Sequence, residues 1–284
     1  MLAAQAMATR FELVLAGLPE ADLRAAGEEA LDEITSLHAR LSAFEPGSVV
    51  SRLNSNAAAG PMPVAGDVFA LLSLCRDIWR ASGGVFDPTV GPLMEAWGFR
   101  ARAGETWRPP TDEALARVRT RVGMHLVELD DAARTVRYTV PDVRLDLGSV
   151  AKGWALDAAA IVLREHGVSS AFLHGGTSSV VTLGAPPGED AWHVEVRGLP
   201  NDRARVAMRD QALGVSAGHG REVVVNGAVL GHVLDPRTGH PARGARVAAV
   251  TGPSAALADA WSTAALVAGG TPAGLPEGYA AVVV

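Results

Sequence analysis

The stretch PSAALADAWSTAALVAG, residues 253–269, sets oxygen-bearing side chains into a run that is apolar nearly all round. Asp259 and Thr263 stand four residues apart, hence on one face of a helix, with Ser262 beside them. A bare carboxylate in an apolar helix is costly unless it is paired or bound to a cation. A carboxylate with a hydroxyl oxygen suits a hard ion such as Mg²⁺. The same spacing also fits an Asp259 held by an arginine and a Thr263 bonded back to its own helix.

Three further stretches carry possible chemistry. In LDLGSVAKGWALD, residues 145–157, Gly148 and Gly153 flank the join of an expected strand and helix. Such a join offers free backbone N–H groups and a helix N-terminus, a seat for phosphate, with Lys152 adding charge. It is neither a dinucleotide-binding G-x-G-x-x-G nor a Walker loop, and a plain turn with an exposed lysine fits as well. In GGVFDPTVGPLMEAWGF, residues 83–99, Asp87-Pro88-Thr89 makes a rigid turn. Phe86, Trp97 and Phe99 could cover a flat ring or simply pack. In VLDPRTGHP, residues 233–241, an acid, two prolines and a histidine crowd one turn just after His232. Alternation places His232 on the face of Leu230 and Leu234, where a core histidine is the plain alternative to a catalytic one.

These stretches must be held by a frame. TRFELVLAG alternates as a strand, and a helix runs from Glu20 to Leu41 on a stripe of Leu23, Ala30, Leu31, Ile34, Leu37 and Leu41. Residues 42–61 are polar and loop-like, 66–82 form a second helix, and Thr111 caps a third. Hairpins are expected around Asp130-Asp131 and at Asn226-Gly227, the strongest short hairpin signal in the chain. Short strands follow at 143–147, 169–176, 179–184, 192–198, 205–210 and 213–218, and again at 246–252 and 279–284. Many strands with a few helices and no regular βαβ alternation give an α+β fold, taken as one domain over 1–284.

The 284 residues are 48% hydrophobic and 20% charged, a globular composition. A net charge of −6 and the absence of any basic run exclude phosphate-neutralising nucleic-acid binding. The single cysteine, Cys75, is read as core packing, and no apolar run is long enough for a membrane span. With no leader visible, a cytoplasmic location is the expectation.

Six blocks in order, MATRF, LSAFEPGSVVSRLN, GGVFDPTVGPLMEAWGF, LDLGSVAKGWALD, GHVLDPRTGHP and PSAALADAWSTA, resemble the FAD:protein FMN transferases, the ApbE family of flavin transferases. The resemblance runs from about Met7 to Thr263. It implies mixed or antiparallel sheets with packed helices and an FAD site in a central cleft. It also implies Mg²⁺, and transfer of FMN from FAD to a threonine hydroxyl of an acceptor protein with release of AMP. Some members hydrolyse FAD to FMN and AMP instead, and a non-catalytic flavin binder is the third alternative. By the same resemblance, Asp259, Thr263 and the carbonyl of Ala151 hold the metal. Met7, Phe44, Val85, Phe86, Asp87, Gly148, Trp154, Val233 and Ser262 line the FAD site, and His232 is the base that takes the acceptor's proton. The chain departs from the family pattern at Phe44, often tyrosine, at Thr177 in HGGTSSV, and over VSAGHGR, residues 215–221, which lacks an acid and an aromatic.

Overall fold

A computed structural model describes residues 1–100, 108–200, 204–218, 222–225 and 228–284. The Asn226-Gly227 hairpin tip, most of the 100–110 loop and His219–Arg221 of the VSAGHGR block therefore lie outside the described residues.

The frame is a seven-stranded sheet in which every neighbouring pair is antiparallel. Its strands are β1 (Leu2–Ala6), β2 (Thr9–Ala16), β6 (Ser170–Gly175), β7 (Ser179–Leu183), β10 (Ala212–Ala217), β13 (Val247–Gly252) and β14 (Ala280–Val283), side by side in that order. Side chains alternate across it. Phe11, Leu13, Leu173 and Val181 enter the main core beneath the helices α1 (Glu20–Leu41), α6 (Ala151–Glu165) and α7 (Ala255–Ala268). Val180, Leu213, Val247 and Ala249 face the other way, onto a ribbon of β8 (Trp192–Glu195) and β9 (Arg205–Met208). Central β7 is buried at all five positions, as a strand covered on both faces must be. The α1 stripe buries Ala30, Leu31, Ile34, Leu37 and Leu41, as its spacing requires.

Helix α7 is the buried helix its sequence predicts, and two glycines let it lie deep. A Cβ on Gly153 of α6 would sit 2.1 Å from the Ala255 carbonyl oxygen, and one on Gly214 of β10 would sit 2.3 Å from the Ala258 carbonyl carbon. Gly153→Ala should force α6 and α7 apart, and loss of cooperative thermal unfolding or of soluble protein is the outcome to look for. Asp157, on α6, caps α7 from outside: it accepts hydrogen bonds from Ala255 N at 2.8 Å, Ala256 N at 3.0 Å and Ser254 Oγ at 2.7 Å. Asp157→Ala leaves these donors without that acceptor. It should lower stability by about 2 kcal/mol, read as a drop in the urea midpoint at unchanged m-value.

The structure corrects two sequence expectations, at 42–61 and 143–147, and adds two elements that the sequence reading did not name. β1 pairs fully with β2, although LAAQA shows too little contrast to announce a strand. The polar 42–61 segment contains α2 (Val49–Asn56), capped by Ser48, whose side chain accepts from Ser51 N at 2.9 Å. PLMEA folds into α4 (Gly91–Ala96). Residues 143–147 form no strand but an extended segment whose only ladder contact among the described residues is an isolated bridge between Arg144 and Val90. Asn54 serves both backbone groups of Leu145, accepting from its N–H at 2.7 Å and donating to its oxygen at 3.0 Å. Gly91 N bonds to Arg144 O and Asp146 N to Pro88 O. Side-chain and loop partners thus satisfy the backbone where a ladder would have done so.

The remaining elements are β3 (Met62–Pro63), α3 (Gly66–Ala81), α5 (Asp112–Arg119), the β4–β5 hairpin (Val127–Asp130, Thr135–Tyr138) and a ribbon of β11 (Glu222–Val225) and β12 (Ala228–Gly231). Among the described residues no helix is long and apolar enough to cross a membrane.

Candidate active site

Asp259 is the centre from which the site can be built. It is 5% exposed, and its carboxylate reaches the first turn of α6, accepting from Gly153 N at 2.8 Å. Ser179 Oγ, from β7, donates to the same carboxylate at 2.8 Å. Among the described residues Asp259 forms no ion pair, and the nearby charge of Lys152 favours its ionised form. Burial pushes the carboxyl up to about 6, against the opposing pull of Lys152 and the hydrogen bonds from Ser179 and Gly153. One helical turn on, three hydroxyls meet: Ser216 Oγ lies 2.8 Å from Ser262 Oγ and 3.0 Å from Thr263 Oγ1. Thr263 also bonds back to the Asp259 carbonyl at 3.3 Å, the local bond that its spacing allowed. Carboxylate, hydroxyl and carbonyl oxygens are hard donors, fitting Mg²⁺ and not a thiolate- or imidazole-preferring metal. Among the described residues no cluster of three His, Cys, Asp or Glu offers another metal centre.

Ala151 opens α6 and is buried, while Gly148, three residues earlier, is exposed. Asp146 shapes this turn: its Oδ1 accepts from Gly148 N at 2.9 Å and its Oδ2 from Arg100 at 2.7 Å. Lys152 Nζ bonds to Gly148 O at 3.2 Å. The Arg100 guanidinium lies 5.2 Å from the centroid of the Phe44 ring, which is 64% exposed.

The rim around His232 is held by backbone turns. Asp235 O accepts from Gly239 N at 2.8 Å, its Oδ1 accepts from Arg237 N at 2.9 Å, and Trp97 Nε1 donates to Gly239 O at 2.7 Å. His232 leaves β12 edge-on to Phe99, with ring centroids 6.4 Å apart. A Cβ on Gly231 would sit 2.0 Å from the Gly218 oxygen. That contact brings the strand end carrying His232 onto Gly218, two residues after Ser216. Val233 packs beside Ala265 and Leu266 of α7.

Met7 and Ala8 form the β1–β2 turn, both at positive φ, 50° and 57°, a hairpin geometry that glycine or asparagine normally supplies. Met7 N donates to His38 Nδ1 at 3.2 Å. Trp154 is half-buried against the main core. Val85, Phe86 and Asp87 are 4%, 1% and 6% exposed, so their side chains lie beneath the surface. Asp87 is committed to its turn, accepting from Thr89 N at 2.8 Å and from the Thr89 hydroxyl. Phe86 and Trp97 are both buried, and Trp97 lines a cavity with Asp235, Thr238 and His240. Sequence reasoning missed Ser179, Ser216, Asp146, Arg100 and Asp157. Ser179 and Ser216 stand inside the two stretches read as departures, and nothing in their local pattern marks a strand hydroxyl that meets the polar side chains of α7.

The sequence profile of the ApbE family matches residues 7–275. The chain belongs to the ApbE family. Among its relatives, this ApbE-family chain is 35% identical over 272 residues to the FAD:protein FMN transferase of Rhodobacter capsulatus, covering 92% of this chain and half the length of that protein. It is 28% identical over 280 residues to the enzyme of that name from Klebsiella pneumoniae strain 342, covering 95% and 78%. The solved ApbE protein of Thermotoga maritima superposes with a TM-score of 0.89 at 28% identity, over 100% of this chain and 93% of that one. The flavin transferase ApbE of Vibrio cholerae, at 23% identity, shares the fold with a TM-score of 0.82, over 99% and 96%.

Proposed function

We propose that this ApbE-family protein is a flavin transferase that moves FMN from FAD onto a threonine hydroxyl of an acceptor protein, releasing AMP. The observation that carries the reading is the buried Asp259, bonded to the first turn of α6 and one helical turn from the Ser216–Ser262–Thr263 hydroxyls. Asp259, Thr263 and the carbonyl of Ala151 would hold Mg²⁺, which when bound neutralises charge on the diphosphate of FAD. Phe44 seats a flat ring, and the exposed Gly148 turn sets phosphate near the N-terminus of α6 and Lys152. Met7, Val233, Trp154, Ser262 and the Val85–Asp87 segment frame the dinucleotide, the last through its backbone. His232 takes the proton as the threonine oxygen bonds to the phosphorus of the FMN half. The bond from that phosphorus to the bridging oxygen breaks, and the oxygen leaves with AMP.

The test is incubation with FAD, Mg²⁺ and a threonine-bearing acceptor, read as flavin fluorescence retained on a denaturing gel together with stoichiometric AMP. Covalent label on the acceptor is the expected result. AMP formed at full rate with no label would reassign the enzyme as a pyrophosphatase, and tight FAD binding with neither product would make it a flavin binder.

A further inference from the structure

Arg100 stands where three parts of the site meet, and no part of the family likeness above assigns it a role. Its side chain is only 11% exposed and its guanidinium is held between Asp146 at 2.7 Å and Glu95 at 3.8 Å. With two carboxylates already on it, its charge is largely spent, which argues against a clamp on ligand phosphate. What remains is its position over the Phe44 ring, with the guanidinium carbon 5.2 Å from the ring centroid. Phe44 itself is anchored only through its backbone, where Phe44 N and Glu45 N donate to Ser42 Oγ at 3.1 and 3.2 Å. A ring 64% exposed on such a segment has little else to fix its rotamer.

We propose that Arg100 is a positioning residue for a flat ring of the flavin dinucleotide: it covers one face of Phe44, leaves the other open for that ring, and ties this platform through Asp146 to the Gly148 turn. The inference rests on FAD being the substrate. Planarity matters here, because a guanidinium stacks on an aromatic face while an ammonium offers only a point charge. Tethering through Asp146 also fixes the distance between platform and turn, since the same carboxylate binds Arg100 and Gly148 N.

The test is a double-mutant cycle on FAD affinity, followed by quenching of flavin fluorescence and by calorimetry, with FMN and ADP as separate probes. Arg100→Ala should weaken FAD binding about threefold to thirtyfold, Arg100→Lys should restore only part of it, and the thermal midpoint should move little. In a Phe44→Ala background the Arg100→Ala effect should vanish. An effect confined to FMN places the isoalloxazine on Phe44, one confined to ADP places the adenine there, and either supports the proposal. An equal Arg100→Ala effect with and without Phe44, an equal loss for FMN and ADP, or no loss at all overturns it while FAD binding by the parent upholds the function. Failure of the parent chain to bind FAD overturns both.

Discussion

Asp259→Asn should abolish Mg²⁺-dependent release of AMP from FAD and leave the metal-free chain folded, with stability at neutral pH no lower than the parent's. The two halves of this expectation have one cause. The carboxylate is buried, and burial, outweighing the pull of Lys152 and of its hydrogen bonds, raises it from 3.8 to about 6. The folded metal-free chain therefore binds the Asp259 proton more tightly than the unfolded chain does. Its contribution to stability is fully present below about pH 3.8 and is lost as pH rises through 6, leaving a cost of about 3 kcal/mol above that. Asparagine keeps an oxygen for Gly153 N and an amide for Ser179 Oγ, without the charge. In chelator, the stability difference between parent and variant should thus move toward the variant by about 2 kcal/mol from pH 4 to pH 8. Mg²⁺ at saturating concentration should raise the parent's melting temperature and not the variant's, because a ligand that binds only the folded state stabilises by mass action. A variant that still releases AMP, or still gains stability from Mg²⁺, would remove Asp259 from the metal.

How much of this was legible beforehand depends on the range of the interaction. The α1 stripe and the all-round apolarity of α7 are periodic signals, so both helices are readable, and the carboxylate inside α7 stands out against its neighbours. The Asp130 hairpin and the Asp87 and Asp235 turns are local too, each an acid accepting from N–H groups two or more residues on. What escaped is set by contacts across the chain. Residues 143–147 look like a strand because Val143, Leu145 and Leu147 alternate, yet Asn54, 91 residues away from Leu145, takes the hydrogen bonds a neighbouring strand would have taken. Asp157 ends an unremarkable helix turn, and only the crossing of α6 and α7 at Gly153 turns it into a cap. The family likeness pointed to Val85, Phe86 and Asp87, whose side chains are buried, a depth that no local pattern announces. Phe44 was legible as an aromatic, whereas Arg100, which fixes it, lies after the last residue of its block.

His232→Ala should cut transfer to the acceptor by about a hundredfold to ten-thousandfold while leaving FAD affinity within about twofold of the parent. The first figure follows from what a base contributes. An unassisted threonine hydroxyl must lose its proton to water as its oxygen bonds to phosphorus, and a neutral imidazole in contact removes that burden. The second follows from position. His232 lies beyond the end of β12, half-buried and edge-on to Phe99, whereas Phe44, Gly148 and the α6–α7 crossing belong to other elements. Shortening the side chain removes one ring contact and should leave the main core and the Asp235 turn standing. The variant should therefore still release whatever AMP arises from attack by water that does not depend on the imidazole, so the ratio of transfer to hydrolysis should fall along with the rate. Added imidazole should return part of the lost transfer to the alanine variant, since the vacated space lies at the rim where an acceptor chain must enter. Labelling of the acceptor by His232→Ala at the parental rate would assign the proton to another group, and the hydroxyls around Thr263 would then be the next to test.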